Sequence, residues 1–414
     1  MKILGFSRCA LLSCIALAML AGCGGSQPPT GGPGVIPQSH PLIARGGSSS
    51  YRVLYRFGDK PDGATPDGSL IDVHGTLYGT TEAGGADVEG GVFSITTGGA
   101  EKMLYDFKKR PDGERPIAGL IDVKGTLYGT TYFGGGEPRG TVFSVTTGGV
   151  EQVLYAFLDK GAHGGHPAAS LTDENGKLYG TTEDGGAHGV GTVFSITTSG
   201  VEKELYSFGP SGDGASPVAS LIDVGGTLYG TTAAGGTYKE GTVFSITTNG
   251  AERVVYSFAG GGDGGDPRAG LVDVGGTLYG TTYSGGTANR GTVFSITTSG
   301  SEKVVYSFAG SGEGSNPAAG LIDVDGTLYG TTISGGGSRA CRFPFNGCGT
   351  VFRISPSGAE TVIYSFAGGS DGAAPGAAPL DIAGVLYGTT MFGGSYDKKC
   401  HHARGCGTVF KLTL

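Results

Sequence analysis

Residues 221–258 read LIDVGGTLYGTTAAGGTYKEGTVFSITTNGAERVVYSF, and this stretch decides the fold. Four short runs rich in β-branched and aromatic residues alternate with glycine-bearing turns, the pattern of successive strands. Strand a is Leu221-Ile222-Asp223-Val224, b runs from Thr227 to Thr232, c from Gly241 to Thr247 and d from Glu252 to Phe258. Gly225-Gly226 joins a to b and Asn249-Gly250 joins c to d, both suited to tight hairpins. Outside the first residues of the chain, no segment has helical periodicity.

The same unit recurs along the chain. Leu-Tyr-Gly-Thr-Thr appears seven times, with its tyrosine at Tyr78, Tyr128, Tyr179, Tyr229, Tyr279, Tyr329 and Tyr387. The interval is 50 or 51 residues except for the last. Each copy is followed by Val-Phe and preceded by an aliphatic-Tyr-x-Phe string, as at Tyr256. A four-stranded unit at this period matches a propeller blade, whereas one coil of a β-helix is much shorter. The phase of the repeat predicts closure: the folded region opens with a lone d strand, Tyr51 to Phe57, and ends with a c strand, Gly407 to Leu414, that has no d. An open solenoid would leave both as bare edges, whereas in a ring the first strand completes the last blade. The expected fold is therefore all-β, a closed seven-bladed propeller over residues 51–414.

The Leu-Tyr-Gly-Thr-Thr, Gly-Gly, Gly-Thr-Val-Phe and Tyr-Ser-Phe strings resemble the GloVer tandem repeats of exported bacterial proteins. That resemblance covers residues 51–414 and implies surface location without implying an activity. More loosely, the strand order is similar to quinoprotein-type propeller repeats, with tyrosine where those carry tryptophan.

The first 22 residues carry Lys2 and Arg8 and then an apolar run from Ala10 to Ala21, the layout of an export signal. It ends in Leu20-Ala21-Gly22-Cys23, which resembles the lipobox of bacterial lipoproteins and implies a lipid anchor on Cys23. Gly24 in place of aspartate favours the outer membrane. Residues 23–50, rich in Gly, Pro and Ser, are expected to be a flexible tether. The balance of 28 Lys+Arg against 36 Asp+Glu argues against a nucleic-acid surface. A monomer is expected.

Strand alternation puts the b–c and d–a connections on one face and the tight hairpins on the other, so recognition is expected on the b–c and d–a side. Eight rings outside the repeat template fall between b and c: Tyr132, Phe133, Tyr238, Tyr283, Phe343, Phe345, Phe392 and Tyr396. Two sets of acids recur. One stands just before each a–b turn, as at Asp72, and reads as turn structure. The other lies in the d–a loops at Asp62, Asp112, Asp213, Asp263, Glu313 and Asp371, with His163 in the third repeat. These offer oxygen ligands of the kind calcium takes, although acidic turn residues more often serve structure, and no cofactor is expected.

Four cysteines follow the anchor: Cys341, Cys348, Cys400 and Cys406, paired within the lengthened b–c loops of repeats six and seven. In an exported protein they read as one disulfide per loop, with zinc at Cys400, His401, His402 and Cys406 as the competing reading. The same two loops add Phe343, Phe345, Phe392 and Tyr396 with basic residues including Arg342 and Lys398, a basic aromatic patch on an acidic protein. The expected ligand-binding residues are these together with Tyr132, Phe133 and Tyr283. The expected function is a non-enzymatic binding or scaffolding module for carbohydrate or an envelope protein. The alternative is a propeller enzyme, a quinoprotein-like dehydrogenase or a polysaccharide-degrading enzyme. It is disfavoured because there is no tryptophan platform and no catalytic constellation stands out from the repeat.

Overall fold

The computed structural model describes residues 50–414 apart from 59–60, 159–162, 311, 342–345 and 395–404. These form seven four-stranded antiparallel sheets, each in the spatial order a-b-c-d. The last sheet is composite: Tyr51–Arg56 pairs with Thr408–Thr413, which pairs with Val385–Thr390 and then Leu380–Ile382. The ring closes as the phase of the repeat predicts. The short a strands of neighbouring blades approach one another, so a is the inner edge of each blade and d the outer.

Local chemistry sets each hairpin. At the a–b turns both central residues take positive φ, as in His74-Gly75 (54° and 84°) and Gly225-Gly226 (63° and 83°). This is the turn whose twist suits two adjoining antiparallel strands. The aspartate before the turn locks it: Asp72 Oδ1 accepts the Gly75 amide at 2.9 Å, and Asp122, Asp173, Asp273 and Asp381 make the same bond. Between c and d the register slips by one residue in every blade, a bulge that adds twist toward the rim.

The core is a chain of inter-blade contacts. The phenylalanine ending each d string packs edge-to-face on the Val-Phe ring of the next blade, from Phe57–Phe93 at 5.1 Å to Phe366–Phe410 at 5.3 Å. All of these rings are essentially without exposure. The glycine of Leu-Tyr-Gly makes room for them, since a Cβ on Gly230 would sit 2.7 Å from Phe244 Cζ. The first threonine of the string crosses to the following blade, as Thr231 Oγ1 donates to Ala269 O at 3.0 Å. The second bonds within its blade to the threonine that opens strand c, 2.8 Å for Thr232 and Thr242. Blade one breaks this pattern. Gly91 replaces the c-strand threonine, and the buried Thr81 hydroxyl has no partner among the described residues.

Candidate functional site on the loop face

The b–c and d–a connections do share a face. They are joined in each blade by short backbone ladders, such as Gly63–Ala64 with Ala83–Gly84 and the bridge between Gly265 and Ser284. What positions side chains around the mouth of the ring is a motif the repeat reading passed over, an Xaa-Pro dipeptide in every d–a loop. The residue before proline takes a positive φ in all seven: Thr65, Arg115, His166, Ser216, Asp266, Asn316 and Ala374, between 53° and 57°. Its amide donates to a carbonyl in the b–c loop of the preceding blade, as His166 to Arg139 O at 2.8 Å and Thr65 to Cys406 O at 2.7 Å. Its carbonyl accepts the amide that follows strand b in its own blade, as Arg115 does from Tyr132 at 3.0 Å. The proline then packs on the glycine before strand c of the preceding blade: a Cβ on Gly140, whose φ is +90°, would meet Pro167 Cδ at 2.7 Å. Backbone strain at a non-glycine residue is thus held by two hydrogen bonds and a packed ring, repeated around the molecule.

This framework presents nearly invariant backbone with freely varying side chains. In blades four and six the residues beside the proline and after strand b are uncharged: Ser216, Val218, Ala233 and Ala234, then Asn316, Ala318, Ile333 and Ser334. In blades one to three they form a connected chain. Glu82 pairs with Arg115, whose guanidinium lies over the Phe133 ring at 5.4 Å. Tyr132 packs against Phe133 at 4.8 Å, stacks on His166 at 4.9 Å and donates its hydroxyl to Glu183 at 2.6 Å. His166 Nδ1 meets Asp184 at 3.0 Å and Nε2 meets Pro138 O at 3.1 Å, while Arg139 holds the same Asp184 at 3.0 Å. Burial would raise the Asp184 carboxyl, but His166 and Arg139 overcome that and hold it below the usual carboxylate range. Burial raises the Tyr132 phenol, and Glu183 raises it further. In blade five Arg268 is bidentate to Asp266 at 2.7–2.9 Å and covers the Tyr283 ring at 4.2 Å.

Tyr132, Phe133 and Tyr283 therefore lie on the loop face, in the b–c connections where the sequence puts them. Phe392 is half-buried against the core of the last blades, and its backbone pairs with Ala373. Arg342, Phe343, Phe345, Tyr396, Lys398 and Cys400 lie outside the described residues, as does Cys23. Cys341 and Cys348 form the expected disulfide, with Cα atoms 5.1 Å apart. Cys406 is buried and disulfide-bonded, and its expected pairing with Cys400 falls outside the described residues. Tyr238 is 60% exposed.

The d–a acids considered as calcium ligands are committed elsewhere. Tyr55, Tyr105, Tyr206, Tyr256, Tyr306 and Tyr364 donate their hydroxyls to the d–a acid seven residues on, at 2.7–2.9 Å. The same acids accept backbone amides, Asp62 from Gly58 at 2.9 Å for example. These tyrosines are accordingly half-buried rather than part of the dry core. A second carboxyl from the next blade faces each of the first six seams: Glu101, Glu151, Glu202, Glu252, Glu302 and Glu360. In all but Glu202 its Oε1 is buried without a partner. Burial first, and the neighbouring d–a acid second, push those five up to about 7. At the closing seam Tyr51 takes the glutamate's place, stacks on Tyr364 at 3.9 Å and donates to Asp371 O at 2.5 Å.

The Gloeobacter/Verrucomicrobia repeat matches residues 34–162 and 140–343. The chain belongs to this repeat family. Among solved structures it resembles the quinohemoprotein alcohol dehydrogenase of Comamonas testosteroni, with 12% identity, a TM-score of 0.51 and coverage of 89% of this chain and 76% of that one. It also resembles XC5397 of Xanthomonas campestris, described as a gluconolactonase, with 12% identity, a TM-score of 0.44 and coverage of 89% and 90%. At such identity the likeness to the dehydrogenase shows the fold alone. No curated protein sequence matches the chain.

Proposed function

We propose that this repeat-family propeller is a non-enzymatic binding or scaffolding module of the cell envelope, tethered through Cys23 and recognising carbohydrate or an envelope protein through its loop face. The observation that carries the reading is the asymmetry of the mouth. Beside the loop proline and after strand b, a framework built the same way in every blade holds uncharged residues in blades four and six, but in blades one to three it holds arginine, histidine, tyrosine and carboxylates linked to one another. Recognition needs such local departures, because symmetric positions offer any ligand the same surface seven times. Binding is favoured over catalysis because both His166 ring nitrogens are engaged and Asp184 is clamped by Arg139. That arrangement braces the aromatic rings rather than leaving an acid or base free to move a proton.

The test is a glycan array run alongside an envelope pull-down with the purified protein. A retained ligand should lose affinity by about tenfold or more in the Tyr132→Ala, His166→Ala double variant, with the melting temperature little changed. Equal binding by that variant would move the site away from the mouth.

A further inference from the structure

We propose that the mouth receives a protonated primary amine of its ligand, with Asp67 as the carboxylate that holds it; this rests on the loop-face reading above. Asp67 occupies the position directly after the loop proline. Around the ring that position otherwise carries Ile117, Ala168, Val218, Ala318 and Gly376, with Arg268 in blade five. It is thus a largely apolar collar. The Asp67 carboxylate reaches across the blade boundary to lie against Gly376, beside the Met391 thioether, where a Cβ on residue 376 would displace it.

The charges of the mouth show what is missing. Glu82 is matched by Arg115, Asp184 by Arg139 and Asp266 by Arg268. Glu183 accepts the Tyr132 hydroxyl and feels Arg268 at longer range. Asp67, like Glu240 in the b–c loop of blade four, has neither an ion pair nor a side-chain hydrogen bond among the described residues. Asp67 is partly buried against the neighbouring blade and keeps some exposure. Burial pushes its carboxyl up to about 6, with no charged group among the described residues bearing on it. A carboxylate kept unpaired against an apolar wall costs folding free energy that an incoming cation recovers. A neutral or anionic ligand group would leave that cost in place. Of the cations a side chain or sugar can present, an ammonium is the compact point charge and needs no fixed fork of acceptors beside the Gly376 and Met391 wall.

Amine-bearing ligands could be amino sugars or lysine side chains, which share the recognised group. The experiment measures binding of glucosamine and of Nα-acetyl-lysine methylamide to the full folded chain, beside N-acetylglucosamine and the norleucine analogue. At least one amine should bind about tenfold more tightly than its uncharged partner, and Asp67→Asn should erase the difference. Whichever amine shows the larger preference names the source. Because the cation needs the ionised carboxylate, the preference should fade as pH is lowered through about 6. Folding gives a readout independent of ligand. The native carboxyl titrates above its ordinary value, so its contribution to stability is present at low pH and lost as pH rises through about 6; Asp67→Asn should therefore melt higher than wild type at pH 7.5. A wild type without amine preference, or an Asp67→Asn variant that keeps it, overturns the inference. If N-acetylglucosamine or an array ligand still binds and depends on Tyr132, the loop-face reading survives that result.

Discussion

The closing seam and the six other seams of the ring solve one packing problem in two ways. In each, a d-strand tyrosine bonds to a loop acid or, for Tyr155 in the second blade, faces Glu202 and Glu204, and the next blade covers it. Six seams cover it with glutamate, placing a second carboxyl in a desolvated site. The closing seam covers it with Tyr51, whose stacked ring and donated hydroxyl add no charge. Two nearby carboxyls out of water are not both ionised cheaply, so the glutamate seams favour the protonated form and the closing seam does not depend on such a proton. The seam that Tyr51 makes with Tyr364 is thus insulated from the acidity that the other seams sense, whereas Tyr55 on the same strand faces Glu101 as its equivalents do.

Removing the closing strand should have the largest effect. Deletion of residues 51–58 takes Tyr51 and Phe57 together, leaves Thr408–Thr413 as an open edge and uncovers Phe93. It should prevent folding or lower the melting temperature by at least about 10 °C, while deletion of residues 24–49 should leave melting unchanged. Thermal unfolding of the two truncations decides this, and equal melting would undo the closed-ring account.

A smaller effect should distinguish the seams by pH. Five glutamates have native values near 7 against an ordinary value of 4.5, so their stabilising contribution is complete below about 4.5 and is lost as pH rises through about 7. Melting should fall between pH 5 and pH 8. Glu302→Gln should raise melting at pH 8 and change little at pH 5. Tyr51→Glu would convert the seventh seam to the acidic kind, and its deficit should be larger at pH 8 than at pH 5. A flat profile in all three proteins would break the comparison.

The smallest effect concerns the first blade. Gly91→Thr alone should destabilise, because its Cβ would sit 2.8 Å from Met103 Sδ and 2.6 Å from Tyr105 O. Combined with Met103→Val, which restores the residue most other blades carry there, it should satisfy the Thr81 hydroxyl and recover about 1 kcal/mol relative to the single variant. A chemical denaturation cycle over the two positions measures that coupling.

Much of this architecture is legible in the linear sequence, because period, turn chemistry and phase are local properties that repeat. Leu-Tyr-Gly-Thr-Thr and the paired turn glycines specify four strands, and a d string without its blade at Tyr51 specifies closure. The turn role of Asp72 and its equivalents is legible for the same reason, since the bond to Gly75 spans three residues. The site is less legible. Tyr132, Phe133 and Tyr283 stand out as rings the template does not use, but Arg115, His166 and Asp67 sit in loops whose signal is only a recurrent proline with a variable neighbour. Tyr51 is legible as the start of the closing strand, but its stack on Tyr364 exists only once the ring brings the two together.

By itself, then, the sequence determined the blade, the number of blades and the order in which the ring closes, all of which follow from backbone chemistry within about 50 residues. Only the tertiary structure decided which carboxyls share a seam and which residues meet at the mouth. Those contacts join side chains from different blades, often as far apart in sequence as Tyr132 and Glu183 or Tyr51 and Asp371. Their energies depend on desolvation and on neighbouring charge, neither of which exists until the blades pack.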